Sequence, residues 1–180
     1  AISEAAIALW HERGYATTGW KDISAVTGVS TRTLIRHFSS RAELAWIGVT
    51  PATQRMAATA AHLDSEVPLG EAIRLLVRAS VSRDPKVAEF GPDFFRLVMT
   101  EPEIAALAPS AHSPWIAEVA SFIASRRPAL PPAVAHAIAA AYQSVMFAAL
   151  IEWATSGAPG NADDAVDAML VHLGPLADGE

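Results

Sequence analysis

A chain of 180 residues with 52% apolar content has enough material for one large core, or for two small units that share one. It contains no cysteine, which excludes disulfides, cysteine-held zinc and thiol catalysis, and it makes a reducing, cytoplasmic location the expected one. The net charge of −6 argues against a protein that coats nucleic acid indiscriminately, but residues 1–46 carry five Arg/Lys against four acids while the remainder carries eight against fifteen, so a polyanion would be met by the N-terminal quarter.

Apolar residues recur at spacings of three and four, and no useful stretch alternates with period two, so the fold class is all-α with about nine or ten helices. The opening AISEAAIALWHERG lacks the basic-then-apolar order of a secretion signal. It reads instead as a first helix from Ile2 to Arg13, with Ala5, Ala6 and Leu9 inward and Gly14 as its stop. Thr17 or Thr18 is placed to cap a second helix that carries Trp20, Ile23 and Val26 and ends at Gly28. Ser30 caps a third, Thr31 to Phe38, and Ser39 or Ser40 a fourth, with Glu43 completing a capping box. The fourth helix is expected to reach about Leu63, broken or kinked at Pro51, and to act as a lever into the rest of the chain.

Farther on, Asp84-Pro85, Glu101-Pro102, Ser113-Pro114 and Pro131-Pro132 put prolines where helices open, since the missing N–H is harmless in a first turn. The last two helices are expected at about 132–155 and 161–173, joined by Ser156-Gly157-Ala158-Pro159-Gly160. Only Val134 to Ala154 approaches membrane length, and its His136, Gln143, Ser144, Glu152 and many alanines fit a buried helix better, so no membrane span is expected. Ala133, Ala137, Ala141, Ser144 and Ala148 form a small-residue seam there. With Val166, Met169, Leu170 and Leu173 it would close a four-helix bundle between two copies or be covered within one.

Helix, tight turn at Gly28 and short helix is the spacing of a helix-turn-helix. At 100° per residue Leu34 and Phe38 share the inward side, which leaves Arg32, Thr33 and Arg36 outward, with Ile35 and His37 on the flanks. Arg32 and Arg36 repel each other at i,i+4, and Arg32 also opposes the helix dipole, penalties that a phosphate or a guanine edge would compensate. A merely solvated basic face costs little and is the alternative on this feature alone.

The surrounding stretch ALWHERGYATTGWKDISAVTGVSTRTLIRHFSSRAEL, Ala8 to Leu44, resembles the DNA-binding domain of TetR-type transcriptional repressors. The shared elements are Gly14-Tyr15, Thr17-Thr18, Asp22-Ile23, Gly28-Val29-Ser30, Thr33-Leu34, His37-Phe38, Ser40-Arg41 and Glu43-Leu44. The resemblance implies a DNA-binding domain over 1–46, a helical effector-binding and dimerisation domain over 47–180, and a homodimer through about 132–155 and 161–173. It implies that Lys21, Thr31, Arg32, Thr33 and Arg36 meet bases or phosphates while Thr18, His37 and Arg41 hold the backbone. A basic arm often precedes this domain in the family. Two positions depart from the pattern: Arg32 stands where a small residue is common, and Ile35 where an aromatic, usually tyrosine, touches a phosphate.

No catalytic, metal or cofactor site is expected. His11-Glu12 begins like a zincin motif, but Tyr15 stands where the second histidine belongs. The histidines at 11, 37, 62, 112, 136 and 172 show no helical pairing, and there is neither a glycine-rich phosphate loop nor a Gly-x-Ser-x-Gly elbow. In the middle of the chain Phe90, Phe94, Phe95, Met99, Trp115, Phe122, Tyr142, Met146, Phe147 and Trp153 gather, a composition shared by cores and by apolar ligand pockets. The candidate ligand residues are His62, Phe94, Phe95, Met99, Trp115, Phe122, Tyr142, Gln143 and Met146, with His112 and His136 as further polar groups. A ligand-responsive repressor released by a small apolar or aromatic effector is the reading that joins these features. A regulator with no ligand switch and a helical protein-interaction module are the alternatives.

Overall fold

The computed structural model describes residues 2–81, 85–174 and 177, with side chains for all of these except 85–90. Asp84 and the side chain of Phe90 lie outside the described residues. Those described form ten α-helices, two 3-10 segments and no strand. The helices are α1 (Ile2–Arg13), α2 (Trp20–Thr27), α3 (Thr31–His37), α4 (Val49–Ala60), α5 (Leu69–Val81), α6 (Pro85–Thr100), α7 (Pro102–Ala105), α8 (Ala108–Arg126), α9 (Pro132–Thr155) and α10 (Ala162–Leu170).

Local signals explain most boundaries. Gly14 and Gly28 take φ of +85° and +70°, a left-handed turn that lets α1 and α2 stop sharply. Neither Thr17 nor Thr18 caps α2; the N-cap is Gly19, whose N–H is accepted by Asp22 Oδ2 at 2.7 Å. Pro102 and Pro132 open α7 and α9 as expected. Pro114 does not open a helix, because α8 already begins at Ala108 with Pro109 in its first turn, and Pro114 lies inside it.

The long fourth helix is the main correction. A 3-10 segment spans Arg41–Trp46, the chain turns at Ile47 and Gly48, and α4 starts only at Val49. In a continuous helix the ring of Pro51 would collide with the carbonyl four residues earlier, that of Ile47, and leave it without a donor. With the break at 47–48, Pro51 becomes the third residue of α4, where an N–H has no intrahelical partner in any case.

Two apolar cores result. One joins α4, α5, α6, α8, α9 and α10 around Ile73, Trp115, Val119, Tyr142 and Trp153, all 3% exposed or less. The other gathers Trp10, Ile23, Leu34 and Leu44 of the N-terminal unit, and Leu97, Val98 and Ile104 of α6 and α7 complete it. Residues 1–46 therefore do not seal their own core. Two polar contacts fasten the junction: the Tyr15 hydroxyl donates to Glu103 Oε2 at 2.8 Å, and the Trp46 indole N–H donates to the Ile104 carbonyl at 3.0 Å. On the far side, Arg74 forks onto Asp167 at 2.9–3.1 Å and ties α5 to α10.

The expected seam of α9 faces outward. Ala133, Ala137, Ser144 and Ala148 are exposed and Ala141 is half-buried, while Ile138, Ala139, Tyr142, Met146 and Trp153 point into the core. Val166 and Leu170 of α10 are fully buried within the protomer and cannot belong to an outer seam; Met169, at 39% exposure, can. By length and a mean hydropathy of 1.6, α9 is the one described helix that passes for a membrane span, and 39% of that window is buried by the neighbouring helices.

Burial, then the hydrogen bond to Glu103, raises the Tyr15 hydroxyl from its ordinary 10 to about 12. Tyr15→Phe leaves an exposed carboxylate that water can solvate, so it should cost about 1 kcal/mol and lower the melting temperature by roughly 2–4 °C at neutral pH. The unfolded chain loses the tyrosine proton near 10 and the folded one only near 12. The wild-type advantage should therefore be complete below pH 10 and vanish on the way to pH 12, which denaturant melts of both proteins across that range would read.

Candidate nucleic-acid interface and ligand cavity

The helix-turn-helix is built from short-range bonds. The Gly28 N–H returns to the Ser24 carbonyl at 3.0 Å, and three residues later α3 is under way. Ser30 is its N-cap, accepting from the Thr33 N–H at 3.2 Å and sharing a 2.9 Å contact with the Thr33 hydroxyl. Leu34, 1% exposed, pins α3 to the N-terminal core, with half-buried Phe38 beside it. The opposite face carries Arg32, Ile35, Arg36 and His37, all exposed, and Thr31 and Thr33 at its edges. Lys21 is exposed at the start of α2. Among the described residues neither Arg32 nor Arg36 has an acidic partner; Arg36 Nη2 lies 3.2 Å from His37 Nε2. Ile35 is 55% exposed on this basic face.

Two of the sequence candidates are placed differently. Thr18 is 2% exposed, and its hydroxyl donates back to the Gly14 and Tyr15 carbonyls. The Arg41 guanidinium donates to the Tyr15 carbonyl at 2.8 Å and to the Thr18 carbonyl, and lies 4.4 Å from the centre of the Tyr15 ring. Arg41 thus holds the α1–α2 turn onto the 3-10 segment, and Thr18 closes the turn on itself.

A cavity of about 400 Å3 lies between the two units. Its floor and far wall are Ser80, Val81, Phe94, Phe95, Trp115, Met146 and Phe147 of the helical bundle. Its near wall is Glu4 and Ile7 of α1, Ala45 and Trp46 of the 3-10 segment, and the start of α4. The volume falls in the range of roughly 300–1,000 Å3 typical of small-molecule sites. Rings meet edge to face along one side: Trp46 with Phe94 at 5.2 Å, Trp46 with His112 at 5.2 Å and His112 with Phe147 at 5.3 Å. His112 is 6% exposed, and burial holds its ring below the usual histidine range, against the smaller opposing effect of its bond to Ala108, so it is neutral.

Of the sequence candidates for a ligand site, Phe94, Phe95, Trp115 and Met146 come together here, as does His112. His62 sits exposed beyond α4 with Nδ1 donating to the Ala58 carbonyl, and His136 and Met99 are exposed elsewhere. Phe122 lies under the Arg126 guanidinium, Tyr142 is sealed in the core with its hydroxyl on the Leu173 carbonyl at 3.3 Å, and Gln143 does not reach the cavity. Trp46, Ile7 and Glu4 were missed, because only the docking of α1 and the 3-10 segment onto the bundle brings them to this space, and Arg55 and Ser80 because only the packing of α4 and α5 turns them toward it. Among the described residues no three His, Asp or Glu side chains are grouped to hold a metal ion.

Comparison with known proteins agrees with this geometry. The family "Bacterial regulatory proteins, tetR family" matches residues 2–45, and the family "MftR C-terminal domain" matches residues 67–176. Among solved structures, the fold resembles PfmR of Thermus thermophilus, a TetR family transcriptional regulator, with a TM-score of 0.54, 20% identity and 96% of each chain covered. It also resembles the multidrug binding protein EbrR, solved with imidazole, with a TM-score of 0.55, 19% identity, and 96% of this chain and 92% of that one covered. No curated protein matches the sequence.

Proposed function

Since the chain belongs to the TetR family of DNA-binding transcription regulators, we propose that it is a ligand-responsive repressor that binds a pseudo-palindromic operator as a homodimer and is released by a small apolar or aromatic effector. In this reading residues 1–46 bind DNA and residues 47–180 bind the effector and dimerise. The observation that carries it is the shared wall of the cavity: Glu4 and Ile7 of α1 and Trp46 face Phe94, Trp115 and Phe147 of the bundle across one space. A molecule seated there touches the frame that carries α3 and the bundle at once. If its affinity differs between two settings of that frame, operator affinity changes by linkage, about tenfold for each 1.4 kcal/mol of difference. Regulation of transcription places the protein in the cytoplasm and gives it no catalytic task.

On the DNA side, α3 enters the major groove. Two copies about 34 Å apart, one helical turn, read the half-sites. Arg32, Arg36 and Lys21 are exposed and supply the charge, and the missing tyrosine at Ile35 moves the balance toward arginine. Thr18 and Arg41 position the α1–α2 turn from behind. The partner protomer packs against the outward seam of α9 together with Met169.

With DNA enriched by the protein from a pool of random duplexes, Arg32→Ala and Arg36→Ala should each weaken binding and lower the salt slope by about one, measured by fluorescence anisotropy at several salt concentrations. Arg41→Ala should instead lower the melting temperature and leave the slope unchanged. Failure to enrich any sequence at low salt would favour a protein-interaction module over a regulator. Ala137→Glu places a charge in the exposed seam, and light scattering should then find a monomer at micromolar concentration where the wild type is a dimer.

A further inference from the structure

The cavity is apolar apart from a few groups, and one of them is singled out by its bonding. His112 Nδ1 lies 2.9 Å from the Ala108 carbonyl, and a carbonyl only accepts, so the proton sits on Nδ1. Nε2 is then the acceptor of the ring, and the ring lines the cavity beside Trp46 and Phe147. No residue described donates to it. Arg55, the cation of the wall, donates through Nε and Nη2 to the Ala79 and Ser80 carbonyls. The wall also contains the Trp115 indole N–H, buried without a partner among the described residues. In a space this apolar, an occupant that donates to the ring's acceptor gains a bond that a purely apolar one does not, so it suits the space best.

We infer that the cavity selects a small, uncharged aromatic molecule carrying one hydrogen-bond donor, most simply a phenolic hydroxyl, which donates to His112 Nε2 while its ring packs among Trp46, Phe94 and Phe147. This rests on the ligand-responsive reading above and adds the specificity-determining residue and the chemical class. An aromatic body fits because the walls already meet it edge to face. A neutral one suits this acceptor because burial favours the uncharged form of the His112 ring, which offers no counter-charge of its own. A carboxylate also lacks the proton that Nε2 needs. Discrimination comes from the missing bond: a ligand of the same size without a donor leaves Nε2 unpaired inside the protein.

The test uses the full chain and calorimetric titration with 2-naphthol, 2-fluoronaphthalene and 2-naphthoate, which share one ring system and differ in the single polar group. The wild type should prefer 2-naphthol to 2-fluoronaphthalene on the order of tenfold and bind 2-naphthoate weakest. His112→Phe keeps the edge-to-face contacts and removes the acceptor, so the preference should collapse through loss of 2-naphthol affinity alone. His112→Leu serves where the larger ring is not accommodated. Equal wild-type affinities, a preference that survives in both variants, or tightest binding of 2-naphthoate would overturn the inference and leave the cavity a ligand site of another kind. Binding of none of the three would overturn the inference and the ligand-responsive reading together.

Discussion

The indole of Trp46 joins the two halves of the chain. Its N–H is donated to the Ile104 carbonyl across the junction, and its ring faces Phe94, His112 and Phe147, one from α6, one from α8 and one from α9. Leaving a buried indole N–H without an acceptor costs about 1–3 kcal/mol, so the corner between α6 and α7 and the 3-10 segment cannot part cheaply. Tyr15 and Glu103 repeat the tie a short distance away. The helical bundle thus contributes Leu97, Val98 and Ile104 to the core that supports α3, and the N-terminal unit contributes Glu4, Ile7 and Trp46 to the cavity of the bundle.

That exchange changes how the units are joined. A continuous fourth helix would have been a rigid lever, but the Pro51 ring rules it out and leaves a turn at Ile47 and Gly48. Side-chain packing across the cavity remains as the stiff connection, and packed rings shift between discrete arrangements rather than bending smoothly.

Within forty-odd residues, arginines of the same type do different work because of what lies behind them. Arg41 is half-buried over the Tyr15 ring and donates to two carbonyls. Arg32 and Arg36 stand exposed on the side of α3 opposite Leu34, and no acid pairs with either among the described residues. Exposure of Arg32 and Arg36 follows from the burial of Leu34, which turns the opposite side of α3 outward.

The helices of the N-terminal unit were legible in the sequence, because their signals are local: the spacing of Leu9, Ile23 and Leu34, the serine cap at Ser30, and the left-handed turn that Gly28 makes without strain. The outward direction of Arg32 and Arg36 followed from the 100° step of a helix, whereas the α9 seam could have faced a second copy or its own protomer until the helices were packed. What tertiary structure alone decided is everything that depends on which surfaces meet. Helical periodicity marks a residue as inward but not the neighbour it faces, so Tyr142 and Trp115 looked alike, though one is sealed in the core and the other lines the cavity. Trp46 looked like the end of one domain and is a wall of the space between two. The reason is that a cavity is bounded by segments far apart in the chain, and its shape exists only once they have packed.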